Sequence, residues 1–161
     1  MGDIRLFVSH SHEDKDIAVA LVDVIEAAMV RGKDRILCTS HDNKKEYGYT
    51  GDEDVSEHLR QHLSQSSCVV SLWTPHSRSS IWCLFELGGA WALANKTYPL
   101  LAPGLDQESL PPPLRKGMVG AKLSEPEEIS RFLRNLRQRL GWDERGGASA
   151  EIKKLVEVAK R

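Results

Sequence analysis

Cys68-Val69-Val70-Ser71-Leu72-Trp73 constrains the fold more than any other stretch of the chain. It is apolar at nearly every position and too short for a helix. An antiparallel strand with one wet face would alternate apolar and polar residues, whereas a parallel strand covered on both faces reads as a near-continuous apolar run. Parallel strands need crossover connections, usually helices, so this segment predicts an alternation of strand and helix on either side.

The flanking sequence has that alternation. Ile4 to Val8 is short and β-prone, and Asp14 is placed to cap a helix with Ile17, Leu21, Val24, Ile25 and Ala28 at helical spacing, ended by Gly32. Arg35 to Thr39 reads as a second strand. The polar stretch Ser40 to Asp54 reads as a long loop, and Val55, Leu59 and Leu63 mark a second helix. After the central strand comes a loop, Thr74 to Ser79, then a helix carrying Trp82 and Glu86. Thr97 to Leu101 reads as a fourth strand and Pro103 to Pro113 as a loop with a helical turn near Gln107 to Leu110. Met118 to Leu123 reads as a fifth strand. Ser124 is placed as the N-cap of a helix built on Ile129, Phe132, Leu133, Leu136 and Leu140. The expected fold is therefore α/β: a flavodoxin-like open parallel five-stranded sheet with helices on both faces. Ligands in such sheets bind beyond the carboxyl ends of the strands, where Ser9 to His12, Ser40 to Asp54 and Thr74 to Ser79 converge.

A chain of 161 residues suits one domain with its own core. The expected division places that domain at residues 1–140, followed at 141–161 by a Gly-containing linker and a helix with Ile152, Leu155, Val156 and Ala159 on one side. Such a helix must bury its apolar face, either by folding back or by opening a second domain with a sensor or oligomerisation role. The 22 basic and 23 acidic residues nearly cancel, so no basic excess points to nucleic acid or an anionic membrane. Cys38, Cys68 and Cys83 lie in or beside apolar segments without CxxC spacing and read as reduced thiols of a cytoplasmic protein. Met1-Gly2 lacks the Ser or Thr that myristoylation prefers at position 6, which is Leu6. No apolar run is long enough to span a membrane.

One charge stands out. In Ser79-Ser80-Ile81-Trp82-Cys83-Leu84-Phe85-Glu86-Leu87-Gly88-Gly89-Ala90, Glu86 is the single ionised residue and lies four positions after Trp82, on the same helix face. A charge among apolar neighbours is costly without a partner or a task. Read alone, Glu86 is either such a group or a carboxylate on a solvated helix face. His58 and His62 share zinc-compatible spacing, but no HExxH pattern or third ligand accompanies them, so no metal site is expected. The chain also lacks GxxxxGK[ST] and GxGxxG, which argues against NTPase and hydride-transfer chemistry, and Ser71, Cys68 and Cys83 have no fixed His/Asp arrangement for a hydrolytic triad.

In order along the chain, Leu6-Phe7-Val8-Ser9-His10-Ser11-His12-Glu13-Asp14, Gly51-Asp52 with Val55 and Leu59, Val69-Val70-Ser71-Leu72-Trp73-Thr74-Pro75, the Trp82-Cys83…Glu86-Leu87 box and Tyr98-Pro99-Leu100-Leu101 resemble a TIR (Toll/interleukin-1 receptor) domain over roughly residues 4–140. The Gly88-Gly89-Ala90 continuation resembles prokaryotic members of the NAD-cleaving type. The loop Lys44-Lys45-Glu46-Tyr47-Gly48-Tyr49 departs from many relatives in lacking a Pro-Gly pair. The resemblance implies an NAD+ glycohydrolase that cleaves the nicotinamide–ribose bond, with ADP-ribose or a cyclic isomer as product. It implies action in prokaryotic antiphage immunity, switched on by assembly. It assigns catalysis to Glu86 and substrate contacts to Trp82, Phe7, Ser9, His10 and Ser11, with Asp42 and Tyr47 from the covering loop. NAD+ is the substrate and no resident cofactor is implied. The implied partners are other copies through TIR–TIR contacts and a sensor domain or protein, with no nucleic acid and no membrane. The competing reading is a non-catalytic interaction module, and a more distant one is another N-glycosidic transferase.

Overall fold

A computed structural model of the chain describes residues 4–38, 55–116 and 120–161. The elements are β1 (Ile4–Ser9), α1 (Lys15–Ala28), β2 (Met29–Val30), β3 (Arg35–Cys38), α2 (Val55–Gln65), β4 (Cys68–Trp73), α3 (Pro75–Ser79), α4 (Ile81–Ala92), β5 (Lys96–Leu101), α5 (Pro112–Arg115), β6 (Ala121–Lys122), α6 (Pro126–Leu140), β7 (Asp143–Glu144) and α7 (Ser149–Ala159). Five strands form the main sheet in the order β3-β1-β4-β5-β6, every neighbouring pair parallel. This is the expected flavodoxin-like arrangement. The chain leaves β1 toward β3 on one side and returns to β4 on the other, so the order reverses between β1 and β4. A crevice opens beyond the carboxyl ends of strands at such a reversal.

Side-chain alternation along the strands sends residues to two separate cores. Leu6 and Val8 of β1, Val70 and Leu72 of β4 and Leu100 of β5 pack with α1, α6 and α7. Phe7, Leu37 and Val69 face the other way, onto Leu59 and Leu63 of α2 and Ala90 of α4. Trp73 and Leu101 extend that second face toward Leu87, Leu110 and Leu114. Every residue of β4 is buried, as its unbroken apolar composition requires.

Several boundaries differ from the sequence reading, each for a local reason. Helix α1 stops at Ala28 rather than at Gly32, because Met29 and Val30 turn extended and pair antiparallel with Asp143 and Glu144. Gly32, at φ 59°, serves the turn that follows. The segment after β4 is not a loop. Thr74 and Ser77 form a reciprocal capping box with Pro75 at the first helical position, and α3 results. Pro112–Arg115 likewise forms α5, and the helical turn near Gln107 is a 3-10 turn over Gln107–Ser109. Glu125, not Ser124, occupies the N-cap of α6, whose first helical residue is Pro126. The described part of the fifth strand is Ala121–Lys122.

The final helix packs against α1, with Leu155 and Val156 in the α1/α6 core. Gly141 ends α6 at φ 68°, a left-handed cap that glycine takes without a Cβ clash, and the chain reverses there. Trp142 Nε1 then donates to Asp34 Oδ2 at 2.7 Å, and the Arg145 amide donates to the Ala28 carbonyl at 3.0 Å. No described helix is long and apolar enough to cross a membrane.

Candidate active site at the sheet's switch point

The site forms where β1 and β4 end. Ser9 is the last residue of β1, opposite Ser71 of β4, and lies two positions after Phe7. Period-two alternation therefore points it to the α4 side of the sheet. Helix α4 starts at a Ser80 N-cap, whose hydroxyl accepts from the Cys83 amide, and turns Cys83, Glu86, Leu87 and Ala90 inward. Ser9 Oγ and Glu86 Oε2 meet in a short hydrogen bond in which the hydroxyl donates. The Trp82 side chain, one turn earlier on the same helix face, also pulls that carboxyl group downward.

Glu86 is 5% exposed, and among the described residues no cation pairs with it. Burial pushes its carboxyl up to about 7, against the opposite pull of the Ser9 hydrogen bond and the nearby Trp82 side chain. A carboxylate held this way is available for work near neutral pH. Trp82 is 41% exposed, so its ring forms a wall open to solvent, and it stacks on Phe85 at 6.2 Å between centroids.

The turn after β1 supports this arrangement. His10 and Ser11 are buried, and desolvation lowers the His10 imidazole despite a hydrogen bond to the Val8 backbone, which favours its neutral form. Ser11 Oγ donates to Glu13 Oε2 at 2.5 Å and so holds the Glu13 carboxyl below its ordinary value. Asp14 stands at the N-cap position of α1 without bonding that helix's amides. Its carboxylate accepts from Thr74 Oγ1 at 2.5 Å instead, joining the segment after β1 to the segment after β4. No spacing rule in the sequence signals that bond, which joins residues 60 positions apart.

The structure thus brings Ser9, Trp82 and Glu86 into direct contact, with His10 and Ser11 next along the chain. Phe7 does not reach them, because its side chain is buried among Leu37, Leu59, Leu63 and Val69. Asp42 and Tyr47 lie outside the described residues, as does the loop around them. Cys38, Cys68 and Cys83 are buried, and burial raises the last two thiols above the ordinary thiol range. The described residues contain no cluster of three or more metal-ligating side chains. A groove of about 440 Å3 lined by Lys96, Tyr98, Arg131, Phe132 and Arg139 lies apart from Glu86, between β5 and α6.

A buried carboxylate at the switch point of a 2-1-3-4-5 parallel sheet defines a class of α/β domain with its site at the first strand and third crossover. The TIR domain model matches residues 6–137, and the chain belongs to that family. The chain is 30% identical over 125 residues to the uncharacterized protein YddK of Bacillus subtilis (strain 168), covering 78% of this chain and 45% of that protein. It therefore spans less than half the length of that relative.

Among solved structures, the TIR domain of the Toll-related receptor TRR-2 from Hydra magnipapillata superposes with a TM-score of 0.62 at 16% identity, over 84% of this chain and 97% of that one. A TIR-STING receptor from C. gigas, solved in complex with 2',3'-cGAMP, gives 0.57 at 22% identity, over 84% and 38% of the respective chains. At these identities both show a shared fold.

Proposed function

We propose that the chain cleaves NAD+ at the bond between nicotinamide and ribose. The carrying observation is Glu86, a carboxylate buried without a cation among the described residues and hydrogen-bonded by Ser9 at the ligand-binding end of the sheet. A buried charge without a counter-charge costs stability, and perturbed carboxyl groups of this kind concentrate at functional sites. A cationic intermediate would supply the missing partner.

Nicotinamide departs with the electron pair of the C–N bond and leaves oxocarbenium-like positive charge on the ribose. A carboxylate beside the sugar stabilises that charge, as in glycoside cleavage. Water adding at the anomeric carbon and losing a proton yields ADP-ribose, and an internal hydroxyl yields a cyclic isomer. Trp82 offers its ring to the departing base or the ribose, and Ser9 orients the carboxylate. No resident metal or cofactor enters these steps.

In this reading the protein is a cytoplasmic effector or signal generator of antiphage defence, active when copies or a sensor partner assemble it. The test is to incubate the concentrated chain with NAD+ and separate the products by chromatography, beside Glu86→Ala. Nicotinamide is expected with the parent and not with the variant, both folded by circular dichroism. A variant that turns over NAD+ like the parent refutes the assignment of Glu86. A parent inert in every assembled form supports the competing reading, a non-catalytic TIR interaction module.

A further inference from the structure

Helix α4 has two faces, and the catalytic reading uses the one that carries Trp82 and Glu86. Seven large apolar side chains are exposed among the described residues, and six of them are Ile81, Trp82, Leu84, Phe85, Trp91 and Leu93, on α4 or its C-terminal turn. Ile81 is 86% exposed, Phe85 57% and Trp91 55%. Apart from buried Glu86, residues 79–95 contain no charged side chain, so nothing on this face repels an identical surface. Contiguous apolar patches of this kind mark interaction sites.

Gly88 indicates what approaches. A mid-helix glycine costs about 1 kcal/mol relative to alanine. Its neighbour Gly89 has a reason within the fold, since a Cβ there would meet Leu63 Cδ1 at 3.0 Å, where α4 packs on α2. A Cβ on Gly88 would meet nothing within 4 Å. Packing within one copy therefore does not call for glycine at 88, whereas close approach of a second backbone would.

We infer that the outer face of α4 binds the same face of a second copy, with the two helices crossing antiparallel at Gly88. The sequence is self-complementary about that point. Phe85 and Trp91 lie three positions to either side, so the Phe85–Trp91 contact forms twice, once at each end; Leu84 and Ala92 lie four positions away and pair large with small. This is the matching a two-fold interface requires. The four side chains that flank Gly88 on this face, Ile81, Leu84, Phe85 and Trp91, leave on the order of 500 Å2 exposed per copy, so pairing covers about 1,000 Å2, about the least a specific interface needs. Trp82, stacked on Phe85, links this surface to Glu86. The inference rests on the assembly half of the functional reading and not on NAD+ chemistry.

The test is sedimentation equilibrium of the full chain across a wide concentration range, beside Gly88→Arg and Phe85→Glu. A concentration-dependent dimer is expected for the parent, and each variant should weaken it at least about thirtyfold, the loss of one interfacial hot spot. Gly88→Arg meets open space and should keep the parent's circular dichroism and melt, so it remains decisive even where Phe85→Glu fails to fold. Gly88→Cys should couple to its mate through a short bis-maleimide, while the parent, with its three thiols buried, should not. A parent that stays monomeric, a Gly88→Arg chain that dimerises like the parent, or a Gly88→Cys chain that does not couple overturns the inference. Each readout is mass, so failure here is separate from failure to cleave NAD+.

Discussion

Ser9, at the end of β1, donates its hydroxyl hydrogen bond to Glu86 on α4, 77 residues further along the chain. The bond fastens the third crossover helix to the first strand and pulls down a carboxyl group that burial raises. Its energetic consequences can be measured directly.

The first is a pH-dependent stability. The Glu86 carboxyl is raised from 4.5 to about 7 in the folded chain. Between those values the folded state keeps a proton that the unfolded state has lost, so stability falls as pH rises. The contribution is fully present below 4.5 and lost above about 7, a difference of about 3 kcal/mol. Glu86→Gln does not titrate. Relative to the parent it should therefore be more stable at pH 8 than at pH 4 by that amount, measured by urea unfolding at both. A pH-independent difference would sink this account.

The second concerns Ser9→Ala. The Ser9 hydrogen bond lowers the Glu86 carboxyl, so removing it should move that group further above 7. On the proposed chemistry the ionised form is the active one, and cleavage should rise about tenfold per pH unit below the midpoint and level above it. The acid limb of kcat/KM should move to higher pH in the variant. An unmoved or acid-shifted limb would show that another group controls the rate.

The third tests the Asp14–Thr74 link. Thr74→Val removes the donor to a buried carboxylate and the cap of α3 together. An orphaned buried acceptor costs about 1–3 kcal/mol and a lost cap about 0.5–2. A loss of about 2–4 kcal/mol with an unchanged denaturant slope is expected from urea titration. A loss under about 1 kcal/mol would mean that the bond contributes little.

The fourth tests whether α7 is an integral part of the core. Leu155 is fully buried within the α1/α6 core. Leu155→Ala should cost about 2–5 kcal/mol, as deletion of a buried leucine side chain does. Calorimetry should show one transition at a lower midpoint, and a parent-like midpoint would mean α7 is only loosely attached.

Much of this was legible in the residues. The unbroken apolar run of β4 required a doubly covered strand, and the helical spacing of Ile17 through Ile25 and of Ile129 through Leu140 required crossovers packed on the sheet. Glu86 was legible as the one charge of an apolar helix. The Thr74/Ser77 capping box was present in the letters but was concealed by a polar segment that reads equally well as a loop. The pairing of Met29–Val30 with Asp143–Glu144 was not legible, because two-residue strands have no periodicity to detect.

What the sequence by itself determined is local and periodic: which segments extend, which coil, which faces are apolar, and that a carboxylate four residues after a tryptophan shares its side of a helix. Only the tertiary structure decided what those faces meet. It turned Glu86 inward to Ser9 and left Ile81 and Phe85 outside. It also turned Asp14 from its own helix to Thr74, sent Phe7 into the core, and brought α7 back onto α1. The physical reason is that periodicity encodes the direction of a side chain relative to its own axis, whereas partners are set by how the axes pack. Ser9 and Glu86 are remote in the chain and become neighbours only when a parallel sheet places the end of β1 beneath α4.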